Sequence, residues 1–111
     1  MGLYSVCSIL KDAKYDLTTN VSVVDGMTNG AECIIKKVDY RVPGSSRPSI
    51  IWVLFQEEYI GKDYRKEYSH LYNQSIHRHW VPILEVTRQF RRHQMQVLRR
   101  QFPLRPSAAK T

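Results

Sequence analysis

Residues 14–40 constrain the fold of this chain more than any other stretch. Tyr15, Leu17, Thr19, Val21 and Val23 fall on one side of a two-residue repeat, and Asp16, Thr18, Asn20 and Ser22 fall on the other. That alternation is the pattern of a strand with one buried face. A turn punctuated by two glycines follows, Asp25-Gly26-Met27-Thr28-Asn29-Gly30. Glycine takes positive φ at little cost, and aspartate and asparagine favour turns. Residues 33–38 then read as a second strand with a short apolar centre. The whole is a β-hairpin by local physics alone.

The remaining chain alternates short apolar runs with breakers. Residues 42–48 hold two prolines and a glycine and form a loop. Residues 49–55 are the most apolar run, and their β-branched and aromatic content predicts a buried central strand. Tyr64, Tyr68, Leu71 and Tyr72 share one helical face, so a short amphipathic helix is expected within 62–73. Residues 81–86 read as a strand start, with Pro82 tolerable at an edge. Residues 86–100 support two readings: a basic amphipathic helix, favoured by local propensity, or two strands. Phe102-Pro103-Leu104-Arg105-Pro106 ends whichever element precedes it. The fold class expected is mostly β with one short helix (α+β).

Charge carries the strongest functional signal in the composition. Seventeen Lys and Arg against ten Asp and Glu leave a formal net charge of +7. No acidic residue follows Glu85, so Arg88, Arg91, Arg92, Arg99, Arg100, Arg105 and Lys110 supply the whole excess. A side so biased suits a polyanion, and nucleic acid is the commonest one. Arginines interleaved with Phe90, His93 and Phe102 suit a single strand, whose phosphates pair with cations while bases stack on rings. Equally, Phe90 and Phe102 are core and only the arginines face solvent. No apolar run approaches the ~18–20 residues that cross a bilayer, and residues 1–10 lack a secretory signature. An intracellular chain without a membrane partner is the expectation, with Cys7 and Cys33 as free thiols.

Catalytic constellations are sparse. Glu57 and Glu58 are neighbours, which an extended chain points to opposite sides, so they make no acid–base couple. His77 and His79, with His70 or His93, lack the spacing that would fix a metal, so none is expected. The ending Ala108-Ala109-Lys110-Thr111 imitates a phosphate-binding loop without the glycines such a loop needs.

Three stretches carry a family resemblance. The first is Tyr15-Asp16-Leu17-Thr18-Thr19-Asn20 followed by the turn from Asp25 to Gly30. The second joins Val38-Asp39-Tyr40-Arg41-Val42-Pro43-Gly44 to the run from Arg47 to Phe55, continued by Tyr64-Arg65-Lys66-Glu67-Tyr68. The third is Gln101-Phe102-Pro103-Leu104 with Ala108-Ala109-Lys110-Thr111. Together they resemble the C-terminal part of the Pif-type (petite integration frequency) ATP-dependent DNA helicases of the RecD-like group. Arg100 departs from the apolar residue expected at its position.

The resemblance implies a fragment whose region 13–104 is the small SH3-like antiparallel barrel inserted in the second motor domain. Residues 1–12 would be an atypical N-terminal segment, and 105–111 a truncated lead-in to that motor domain. It implies a nuclear location, with a mitochondrial one as the alternative, and roles of the telomere-maintenance and DNA-repair kind. Partners would be single-stranded DNA and the remaining motor domains; the oligomeric state is left open. ATP and magnesium belong to the full-length helicase, whose Walker motifs this sequence does not contain, so no cofactor and no catalytic residue is assigned here. Arg88, Arg91, Arg92 and Arg99 would contact nucleic acid, and Asn20, Asp25, Gly26, Asn29 and Gly30 form the hairpin motif. The resemblance favours two strands over residues 86–100. The competing functional reading is a free-standing basic module, derived from such a helicase, that binds nucleic acid or protein.

Overall fold

The computed structural model describes residues 11–92 and 95–107, with 87–92 and 95–100 described by their backbone. Along these residues run β1 (Lys14–Leu17), β2 (Glu32–Asp39), β3 (Ile50–Phe55), α1 (Lys62–Glu67), β4 (Val81–Ile83), β5 (Val86–Arg92), β6 (Met95–Gln101) and β7 (Leu104–Pro106). A single 3-10 turn, Ser69–Leu71, follows α1. Five strands form one antiparallel sheet in the order β4-β3-β2-β1-β7, while β5 and β6 pair as a separate ribbon. The architecture is therefore mostly antiparallel β with one short helix, compatible with a small barrel-like α+β fold.

The apolar run of β3 explains why the sheet is buried on both faces. Ile51, Val53 and Phe55 join Tyr15, Leu17, Cys33 and Ile35 in the main core. Ile50 and Trp52 project to the opposite face, where Ile76 covers them with help from Leu71, Tyr72 and Trp80. Val81 and Ile83 from one edge strand and Leu104 from the other share the main core. The sheet must curl for its two edges to meet there. Each such side chain contributes roughly 1.5–3 kcal/mol by leaving water.

A one-residue irregularity lets β2 serve both faces. Ile35 pairs with Val53 but Lys37 pairs with Trp52, so Lys36 is an extra, bulged residue. A bulge resets the side-chain alternation of its strand. Past it, Val38 packs against the main core, and Asp39 lies on the side of Trp52. Trp52 Nε1 donates to Asp39 Oδ2 at 2.9 Å, and Arg41 Nε donates to the same oxygen at 3.0 Å.

That arrangement makes the second core acid-sensitive. Burial works to raise the pKa of Asp39, but hydrogen bonds from Arg41 and Trp52, with the charges of Arg41 and Lys37, outweigh it and hold the carboxyl below 3.8. A folded pKa below the unfolded one means that protonation favours the unfolded chain. The stabilisation is complete above the unfolded value and is lost as pH falls through the lowered folded value. The denaturant midpoint, read from tryptophan fluorescence, should therefore begin to drop below about pH 5 and keep dropping as pH passes below 3.8. Asp39→Asn should be less stable at neutral pH and flatter across that range. An unchanged acid dependence in Asp39→Asn would place its source elsewhere.

Several elements differ from the sequence expectation. The first strand stops at Leu17 instead of continuing to Val23. Thr18 donates its N–H to Pro103 O, and the N–H groups of Val21 and Ser22 both donate to Met27 O. These bonds fold residues 18–30 onto themselves and leave Val23 and Val24 exposed. The helix is confined to Lys62–Glu67, with the 3-10 turn taking over after Tyr68. Residues 86–92 and 95–100 are paired strands, the alternative that the resemblance favoured and local propensity did not, because cross-strand pairing from Val86↔Gln101 to Arg92↔Met95 outweighs local propensity. Residues 104–106, expected only to end an element, form the edge strand β7.

Candidate nucleic-acid interface

The ribbon organises the arginines. Arg88 stands directly opposite Arg99, Phe90 opposite Val97, Arg91 opposite Gln96, and Arg92 opposite Met95. Opposed residues of an antiparallel pair share a face, and alternate residues return to it. Arg88, Arg92 and Arg99 thus fall on one face of the ribbon, and Arg91 falls on the other with Arg100. Like charges directly opposite are unfavourable, and an isolated two-stranded hairpin is marginal in water. A polyanion laid along the ribbon would relieve the first cost and brace the second.

At its base the ribbon is anchored. Gln101 and Phe102 are buried, and Phe102 belongs to the main core. Of the two readings left open for Phe102, base stacking or core, the structure shows core: the residue is buried in the main cluster. The side chains of Phe90 and the placement of His93 lie outside the described residues, so that part of the stacking expectation does as well.

Beside this base lies a cleft of about 460 Å³. Its walls are the hairpin loop (Asn20, Val21), α1 (Tyr64, Glu67, Tyr68) and the entry to β5 (Glu85, Val86). Burial and the neighbouring Tyr68 and Glu67 push the Tyr64 hydroxyl above its ordinary pKa, so it is a neutral donor here. Glu85 is ion-paired with Arg47, whereas Glu67 brings a negative charge that repels phosphate. The cleft brings Asn20 to the base of the ribbon but is itself a poor phosphate site.

The hairpin motif holds the turn together and starts the helix. Asn20 Oδ1 accepts the Asn29 N–H at 2.8 Å, and Gly30 N–H donates to Leu17 O at 2.8 Å. Asp25 is 6% exposed and reaches across 38 residues to α1. Its carboxylate accepts the N–H groups of Asp63 at 3.1 Å and Tyr64 at 2.7 Å. The residue at the helix N-cap is Gly61, which has no side chain to do this. Helix starts carry free N–H donors, and a carboxylate is a favoured partner. Asp25 and Gly26 are thus turned toward the start of the helix. A sequence signal existed, since Asp25 sits in a turn with an acceptor side chain, but nothing in it named the distant helix.

Cys33 is a free, buried thiol pushed up to about 12, chiefly by burial and then by Asp16 and Glu32, which makes it inert. Cys7 and the sequence ending in Thr111 lie outside the described residues. No group of three His, Cys, Asp or Glu side chains converges as metal ligands among the described residues. His77 Nδ1 accepts the His79 N–H at 3.1 Å, and His79 Nε2 lies 3.3 Å from Glu58. No described helix is long and apolar enough to cross a membrane. None of the protein-family models, curated proteins or solved structures compared with the chain matches it.

Proposed function

We propose that this chain is part of a Pif-type ATP-dependent DNA helicase, in which it forms an SH3-like accessory barrel that engages single-stranded DNA without ATP chemistry of its own. The observation that carries this reading is the opposition of Arg88 and Arg99, with Arg92 on the same face, in a ribbon set apart from the main sheet. The motif resemblance and the acid-free stretch after Glu85 support it. In this reading Arg88, Arg91, Arg92 and Arg99 pair with phosphates, while Asn20 and Asn29 keep the hairpin loop against the ribbon's base.

Fluorescence anisotropy with labelled oligo(dT) tests it. Binding should be weak and should fall steeply with salt, with a log–log slope of about −3 if four phosphates are neutralised. Arg88→Glu/Arg99→Glu should abolish it in low salt, and ATP should leave it unchanged. Salt-insensitive binding, full binding by that double variant, or ATP turnover by the purified chain would each reject the reading.

A further inference from the structure

A second cationic region lies away from the ribbon, and no role has yet been given to it. An open groove of about 480 Å³ runs between α1 and the segment that follows it. One wall carries Lys62, Arg65 and Lys66, which sit at i, i+3 and i+4 and so share a helix face. The segment across from it supplies an apolar floor, Tyr72 and Ile76, and a further cation, Arg78. No carboxylate lines the groove.

The cations are not consumed by the fold. Lys62, Lys66 and Arg78 take part in none of the ion pairs found among the described residues. The Arg65 guanidinium donates to the backbone carbonyls of Ile60 and Glu58, each at 3.2 Å, which fixes it without neutralising it. The floor is equally fixed. Ile76 is buried against Ile50 and Trp52. Tyr72 meets Trp52 edge-on, with centroids 4.8 Å apart, and its hydroxyl is held by the Trp80 carbonyl. The groove is therefore preformed, with an apolar floor and positive charge on both walls.

We propose that this groove docks an acidic peptide segment of a partner protein, with a bulky apolar residue seated on Tyr72 and Ile76 and flanking carboxylates on the two walls. The distribution of charge favours this occupant over a nucleic-acid strand. A single strand is held by one cationic wall for its phosphates and one aromatic platform for its bases. Here the wall opposite the helix carries Arg78, and its only ring is already engaged by Trp52 and Trp80. A peptide with carboxylates on both sides of an apolar anchor matches cations on both sides of an apolar floor. Preorganised walls also limit the side-chain ordering cost of binding.

The proposal is independent of the single-strand reading, and the experiment keeps the two apart. The probe is a labelled peptide in which Asp and Glu alternate with Leu and Phe, titrated into the full chain. The controls are a peptide of equal charge with Gly and Ser at the apolar positions, and oligo(dT). Binding of the first peptide is expected, weakening with salt, with the Gly/Ser peptide clearly weaker. Lys62→Glu/Lys66→Glu should weaken it about tenfold, and Arg78→Glu, on the other wall, should weaken it without touching the helix. Arg88→Glu/Arg99→Glu should leave it unchanged while abolishing oligo(dT) binding. The proposal is overturned by no peptide binding to the parent chain, by equal binding of the two peptides, or by peptide binding that survives both groove variants. Loss of oligo(dT) binding in the groove variants without any peptide binding would assign the groove to nucleic acid and overturn it as well.

Discussion

Asp25→Ala is expected to lower the stability of this chain by about 3 kcal/mol. The carboxylate satisfies two consecutive N–H donors, those of Asp63 and Tyr64, and no other cap is available because Gly61 precedes them. Removing it from a site only 6% exposed strands both donors and leaves a small cavity. A capping residue alone is worth about 1 kcal/mol, and hydrogen bonds to a charged acceptor about 1.5–3 kcal/mol each, so the sum lies near the upper end of single-site effects. The backbone of Asp25 also accepts the Gly61 N–H at 2.9 Å, and alanine preserves that bond. Loop and helix should therefore stay in register while losing their clamp. Chemical denaturation measures the loss. Asp25→Asn, which keeps one acceptor, should cost about half as much. A midpoint for Asp25→Ala within error of the parent would rule out the clamp.

Gly61→Ala should cost about 2–3 kcal/mol for a separate reason. Gly61 has φ of +82°, in the left-handed region that costs a residue with a Cβ roughly 1 kcal/mol. A Cβ there would also lie 2.8 Å from Val81 Cγ2 and 3.3 Å from Val81 Cγ1. Val81 is fully buried in the edge strand β4, so it has little room to give way. Combining Gly61→Ala with Val81→Ala should then cost less than the two separate losses added, since the double variant removes the clash. Strict additivity in that cycle would refute the contact with Val81 and leave the backbone strain alone.

What could be read in the sequence was what depends on neighbours along the chain. β3 followed from the apolar run Ile50–Phe55, and Pro82 was expected at an edge, where β4 places it. Elements set by distant partners were misread. Leu17 ends β1 because Thr18 turns to bond Pro103, which the alternation through Val23 could not reveal. β7 was hidden by Pro103 and Pro106, yet an edge strand tolerates proline. Local propensity alone pointed to a helix over 86–100, whereas each ribbon strand gains its hydrogen bonds from the other, as the resemblance favoured. The same limit applies to the sites. Asp25 was read as part of a turn and became a helix clamp through a partner 38 residues away. Lys62, Arg65 and Lys66 gave no such signal, since only the fold brings Arg78 and Ile76 across from them.

The pairing of β1 with β7 has a consequence for how the unit can be housed. Tyr15 lies beside Pro106 in the sheet, and Ser107 N–H bonds Lys14 O at 3.0 Å. The backbone thus enters and leaves the sheet side by side, about 5 Å apart. A host protein carrying this segment within one of its own surface loops would see a step no wider than an ordinary hairpin, and would pay almost no closure entropy for it. Removing the segment would leave two host ends that a tight turn could rejoin. The strand pair is a doorway as well as an edge.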